Sequence, residues 1–260
     1  MDGNRAAGGS FGQTIRQARE ATFRQFCLSV PALILVEAGL KRIGWASRSV
    51  TARPGQILLI PEAEPLAVTN MPPEHGPYRA RVIPAGRLQV EGAYARLQAT
   101  SRPPPGTVQL VEPRAGCRDA FDQLFASAPD LPPAILALRT EELLLWLAED
   151  GGLFPPASPP ATAQRLRLLI SDDLGSDWTA GRAARALAMS EATLRRRLAD
   201  ESTSFAALLA DLRMGHALAL LQGTDLPVGS IAAAVGYGSP SRFAARFRGR
   251  FGLSPRDIRT

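Results

Sequence analysis

Two segments of this chain follow one local plan, and that repeat limits the fold more than any other feature. "AARALAMSEATLRRRL" starts at Ala183 and "SIAAAVGYGSPSRFAARF" at Ser230. Each reads as helix, tight turn, helix. Ala184 and Ala232 put a small side chain where two helices cross closely, and Leu187 and Val235 add apolar contacts. Leu194 with Leu198, and Phe243 with Phe247, stand four apart, so each pair shares one face of its second helix. The second copy's turn is one residue longer. The copies lie about 49 positions apart, with the helical stretch "SFAALLADLRMGHALALLQG" between them. A chain patterned this way predicts an all-α unit built around two helix-turn-helix motifs.

That unit has a legible start. "GGLFPPASPPATAQ" (Gly151–Gln164) is dense in Gly, Pro, Ala and Ser, the composition of a linker between domains. The division predicted is 1–150, a linker over 151–161, and 162–260. At 260 residues the chain is long enough for two cores. Charge divides with it. Residues 161–260 carry 14 arginines against 9 carboxylates, whereas residues 1–160 carry 16 basic against 15 acidic groups. Nearly all the net charge of +6 therefore sits in the helical part, which points to an anionic partner there. Lys41 is the only lysine.

The N-terminal part has another rhythm. "ALILVEAG", "RIGWASRSV", "QILLIP", "PLAVTN" and "YRARVIPA" are short β-like runs separated by turn signals such as Pro54-Gly55 and Pro72-Pro73. They predict a small antiparallel barrel or sandwich. Two helices follow, "GCRDAFDQLFASA" and "PAILALRTEELLLWLAED". In the second, Leu136, Leu143, Leu144 and Leu147 form a broad apolar stripe. Either the stripe is core alone, or it serves the barrel on one side and a second subunit on the other. The second reading makes Leu143, Leu144 and Leu147 dimerisation residues. The fold class expected is α+β with two domains: an N-terminal cupin-like β-barrel with helices and a C-terminal all-α domain.

With these residues in view, 162–259 resembles the DNA-binding domain of the AraC/XylS family of transcription regulators. The second copy carries the pattern: Ile231-Ala232, Val235-Gly236-Tyr237, Ser239, Ser241, Phe243, Phe247, Phe251-Gly252 and Ser254-Pro255. Ile258-Arg259 stands where the family has an aromatic and Arg. Arg213, Ala217, Leu220 and Leu221 match the family's linker helix. The resemblance implies a regulator that binds double-stranded DNA, an activator by family habit, working with RNA polymerase. It implies base reading at Ala192, Arg195 and Arg196, which helix geometry also turns away from Leu194 and Leu198, with Thr193 beside them. Ser190 is expected to cap that helix. On the second copy, Ser239, Ser241, Arg242, Ala245 and Arg248 are expected at DNA, the arginines mostly on phosphates. Arg246 falls close to the core side and is given neither role.

The barrel-like part resembles the cupin-type regulatory domain of such proteins, which implies control by a small-molecule effector or by a regulatory protein. Trp45, Tyr78 and Arg81 are candidate barrel-lining residues. The competing reading is a cupin-like enzyme fused to a DNA-binding module. It asks for a metal held by several His and a carboxylate, yet the whole chain has two His, His75 on a Pro-rich loop and His216 in the helical part. No cofactor, metal or catalytic constellation is expected. Cys27 and Cys117 stand apart without metal-type spacing, as idle thiols of a reducing compartment do. No apolar run has the length of a membrane span and no signal peptide is evident, so the expectation is a cytoplasmic homodimer away from membranes.

Overall fold

The computed structural model describes residues 12–26, 28, 30–45, 47–62, 66–97, 108–154, 161–171 and 173–258. The described residues divide into two compact units, 12–154 and 161–258.

In the N-terminal unit the strands are β1 (Gln13–Gln17), β2 (Ala21–Phe26), β3 (Ala32–Ala38), β4 (Leu40–Trp45), β5 (Arg48–Ala52), β6 (Ile57–Ile60), β7 (Leu66–Met71), β8 (Tyr78–Pro84) and β9 (Gln109–Val111). Among the described residues they pair into two antiparallel sheets, ordered β1-β8-β3-β6-β9 and β2-β7-β4-β5. Of the two arrangements expected, barrel or sandwich, this is the sandwich: among the described residues no ladder joins the two sheets into one closed barrel. "RIGWASRSV" is a hairpin rather than one strand, with Trp45 paired to Arg48 across the turn. The two sheets meet face to face. The ammonium of Lys41 on β4 lies 5.5 Å from the ring centre of Tyr78 on β8, and Asn70 on β7 donates to Gln17 on β1 at 2.9 Å.

The other face of the five-stranded sheet is covered by helices α1 (Arg87–Leu97), α2 (Ala115–Ser127) and α3 (Pro133–Glu149). Alternation along the strands sends Leu33, Leu35, Ile57, Leu59 and Ile83 to this side, where they meet Phe121 and Leu124 of α2 and Leu143, Leu144 and Leu147 of α3. Leu143, Leu144 and Leu147 are 0%, 5% and 0% exposed. Their reading as dimerisation residues is thereby overturned, because the sheet already covers them. The large exposed apolar residues of α3 are Ile135, Leu138 and Trp146. Past α3 the chain stays on this unit. Gly152 bonds Leu147, Leu153 exchanges two hydrogen bonds with the Gln109 side chain, and Phe154 is buried in the core. Residues 151–154 of the stretch expected to be linker thus pack with this unit, and residues 155–160 of it lie outside the described residues.

The C-terminal unit holds α4 (Thr162–Ser171), α5 (Ala180–Ala186), α6 (Glu191–Asp200), α7 (Phe205–Gly223), α8 (Val228–Ala234) and α9 (Pro240–Phe251). One cluster packs Leu166, Ile170, Trp178, Ala183, Ala184, Leu194, Leu198 and Leu208 around the first motif. Around the second, Ile231, Ala232, Val235, Phe243 and Phe247 are all fully buried. The rings of Tyr237, Phe243, Phe247 and Phe251 form a continuous run with centroids 5.8, 5.7 and 4.7 Å apart. Edge and tilted contacts of this kind add to what burial alone supplies. Among the described residues, no single helix is long and apolar enough to cross a membrane.

Candidate nucleic-acid interface

The two helix-turn-helix motifs close their turns with the same hydrogen bonds. At the end of α5, Ala188 N–H donates to Arg185 and Met189 N–H to Ala184. At the end of α8, Gly236 N–H donates to Ala233 and Tyr237 N–H to Ala232. This paired arrangement satisfies the last carbonyls of a helix and requires one residue in the left-handed region. Gly236 fills that position with φ 78°, while in the first motif it falls to Ala188 at φ 56°. Gly236 is needed for a second reason. A Cβ there would come 2.5 Å from the guanidinium of Arg213, which is fixed by the carbonyls of Ser176 and Leu174 at 3.0 and 3.4 Å.

Each second helix begins on a serine. Ser190 accepts from Thr193 N–H at 3.1 Å, as expected from sequence, and its hydroxyl also lies 2.9 Å from that of Thr193. Ser239 accepts from Arg242 N–H at 3.4 Å. These caps set the phase of both helices. On α6, Leu194 and Leu198 go inward, and Ala192, Arg195, Arg196 and Arg197 are exposed with Thr193 half-buried beside them. On α9, Phe243, Phe247 and Phe251 go inward, and Ser241, Arg242, Ala245 and Arg248 are exposed, with Ser239 half-buried at the start. Each helix therefore presents the predicted residues together on one outward face. Arg246 departs from expectation: it is exposed and lines a groove beside α7. Arg250 is the inward-leaning arginine instead, paired with Asp211 at 3.0 Å and lying against Phe251.

A connection that sequence reasoning missed joins α6 to α4. The carboxylate of Glu201, just past α6, accepts the backbone N–H groups of Thr162 and Ala163, both at 2.8 Å. It caps a helix 39 residues earlier in the chain, so no local pattern could have revealed it.

In the N-terminal unit the three candidate lining residues separate. Trp45 shares the inward side of β4 with Lys41 and Ile43, and Tyr78 faces the same space from β8. Arg81 does not belong there. Three residues on from Tyr78, it leaves the opposite face of the strand, lies over the rings of Phe121 and Phe125, and pairs with Glu37 and Asp122, each at 2.7 Å. The space between the sheets holds instead a polar cluster that sequence reading passed over. The Lys41 ammonium donates to Asn70 Oδ1 at 2.7 Å, Asn70 donates to Gln17, and Gln17 donates to the carbonyl of Arg19. Lys41 is 2% exposed, and burial lowers its pKa to about 7. The Tyr78 hydroxyl is buried there with no hydrogen-bond partner among the described residues, and burial raises its pKa. Among the described residues no group of three or more His, Cys, Asp or Glu side chains is placed to hold a metal ion.

Comparison with known proteins follows the same division. A family described as a helix-turn-helix domain matches residues 183–260. Two curated Escherichia coli proteins match part of the chain. One is the DNA-binding dual transcriptional regulator Rns, 36% identical over 98 residues, which are 38% of this chain and 37% of that protein. The other is the HTH-type transcriptional regulator GadX of strain O157:H7, 33% identical over 116 residues, 44% and 42% of the two chains. The chain thus spans about two fifths of the length of these curated relatives. Among solved structures, apo ToxT from Vibrio cholerae superposes over 98% of this chain and 100% of its own, with a TM-score of 0.69 at 13% identity. ToxT with an unsaturated fatty acid bound superposes over 97% and 95%, with a TM-score of 0.64 at 12% identity. These likenesses show a shared two-domain fold.

Proposed function

We propose that the C-terminal part of this chain is a member of the AraC/XylS family of helix-turn-helix regulators, as the matched helix-turn-helix domain and the similarity to Rns support, and that the protein is a sequence-specific DNA-binding transcription regulator. The observation that carries the reading is the pair of serine-capped helices, each anchored by buried side chains four apart and each turning a polar or basic face outward. In this reading α6 enters one major groove and α9 the next, about one helical turn (~34 Å) further along the same side of the duplex. Arg195 and Arg196 read bases, an arginine being able to bond guanine O6 and N7 together, and Ala192 meets a thymine methyl. Arg242 and Arg248 hold phosphates, which fix register without carrying sequence.

The N-terminal unit supplies control. It receives a small-molecule effector or a regulatory protein, and the protein acts in the cytoplasm as an activator alongside RNA polymerase. The buried Lys41, Asn70, Gln17 and Tyr78 are the polar groups within the sandwich that an effector would address. Dimerisation, moved from the buried leucines of α3, uses the outward face carrying Ile135, Leu138 and Trp146.

Selection of bound fragments from random duplex, followed by hydroxyl-radical footprinting, tests the central reading. The expected result is an asymmetric site with two protected segments about one turn apart on one face. Binding that selects no sequence, or a footprint confined to one groove, would refute it.

A further inference from the structure

Between α7 and α9 runs a groove of about 990 Å³. One wall is a single stripe of α7, formed by Phe205, Ala206, Leu209 and Ala210. Phe205 and Leu209 are half-buried; both pack against the core of the first motif and also line the groove. The rim is cationic, set by Arg242 and Arg246, and one end is closed by the turn from Gly236 to Ser239 over Arg213, whose guanidinium is held by the carbonyls of Ser176 and Leu174. Its lining contains no carboxylate. A sugar-phosphate strand would satisfy the guanidinium groups and leave the apolar wall wet. The lining is complementary to an apolar body with one anionic head, the head on the rim and the body against α7.

We propose that this groove is a binding site for an amphipathic monoanion, an alkyl or aryl carboxylate or sulfonate. Ser239, Arg242 and Ala245 line the groove and also belong to the face assigned to DNA. An occupant therefore displaces duplex from α9, a consequence that rests on the reading of α9 as a DNA-gripping helix. The C-terminal unit so acquires an effector site of its own, independent of any ligand of the N-terminal unit.

Titration of the full-length chain with anilinonaphthalene sulfonate, without DNA, tests the site. Saturable binding is expected. Ala210→Glu puts bulk and negative charge into the wall and should weaken it at least tenfold. Arg246→Ala removes a rim charge and should weaken it at least threefold. Absence of saturable binding, or binding unchanged in Arg246→Ala, overturns the proposal even where Ala210→Glu fails to fold. On a duplex the chain binds, the apparent Kd should rise linearly with free probe, by the factor one plus the ratio of probe concentration to the probe's own Kd. Groove-dependent probe binding with DNA affinity unchanged overturns the displacement. A chain that binds the probe with these sensitivities but binds no duplex keeps the site and sinks the DNA reading instead.

Discussion

Replacing Lys41 by methionine should stabilise the N-terminal unit at neutral pH and remove most of its pH dependence above neutrality. Burial takes the ammonium from an ordinary value of 10.5 to about 7, so between these values the unfolded chain holds a proton that the folded chain has released. Stability must then rise with pH across this window and level off below about pH 7. The penalty on the folded state is about 4 kcal/mol near pH 7 and about 2 kcal/mol near pH 9, a gain of roughly 2 kcal/mol over two pH units. Cys117 acts in the opposite direction, since burial pushes its thiol up to about 12, but ionisation of the unfolded thiol offsets less than ~0.5 kcal/mol by pH 9. Methionine removes the ionisable group and leaves Asn70 Oδ1 without its donor, a loss of about 1–3 kcal/mol. Lys41→Met should therefore be more stable than the parent by about 1–3 kcal/mol near pH 7 and about equal to it near pH 9. Urea unfolding at both pH values, in a Trp178→Phe background so that fluorescence reports only Trp45 and Trp146 of the N-terminal unit, measures this. A parent midpoint that does not rise with pH, or a methionine variant that keeps the parent slope, would refute the reasoning.

In the C-terminal unit, Arg196→Ala should cost roughly 1–3 kcal/mol on the selected site and relax base preference at one position. Arg248→Ala should weaken specific and random duplex alike and flatten the salt dependence of binding; equal loss without any change of preference in both variants would contradict the division of labour. Ala188→Gly, at φ 56° on an exposed turn, should raise stability by about 0.5–1 kcal/mol in thermal unfolding, and a drop would show that the alanine is unstrained. Ile135→Glu combined with Leu138→Glu should lower the sedimentation mass from dimer to monomer with the N-terminal unit still folded, whereas Leu147→Glu should unfold that unit. A double variant that sediments like the parent would place the contact elsewhere.

The helical unit was legible because each of its signals is local. A buried pair four apart, a small residue at a crossing and a serine before a helix are all set within a turn or two, and the structure has Leu194, Leu198, Phe243, Phe247 and Ser190 in those places. The N-terminal unit was legible only where strands are apolar. The runs at β3, β6, β7 and β8 were visible, but β1, β2 and β9 alternate too weakly and are held by pairing with residues far along the chain. Helix α1, "RLQVEGAYARL", buries only Val90, Ala93 and Tyr94, too few to write a stripe into the sequence. The errors have one cause. Which face of α3 or β8 meets what is decided by topology: the leucines of α3 were recognised as apolar but not as already covered, and Arg81 was recognised without the side of the strand it leaves. Lys41 was noticed as a rarity in composition, and nothing local tells that a lysine will be shut between two sheets.

The one additional residue in the second turn has a consequence for direction. The motifs correspond at an offset of 48 before the turn, Ala184 to Ala232 and Ala188 to Gly236, and at 49 after it, Ser190 to Ser239. By that offset Arg195 and Arg196 correspond to Ala244 and Ala245, so α6 carries two arginines at the positions where α9 carries two alanines. Two copies of one device have become a front and a back. A chain of this kind cannot be turned end for end on its site and make the same contacts, so a single copy lying on duplex already carries an arrow. On the proposed reading as a DNA-binding regulator, promoter polarity, which palindromic binders must obtain from something else, would be written into the order of two helices in one polypeptide.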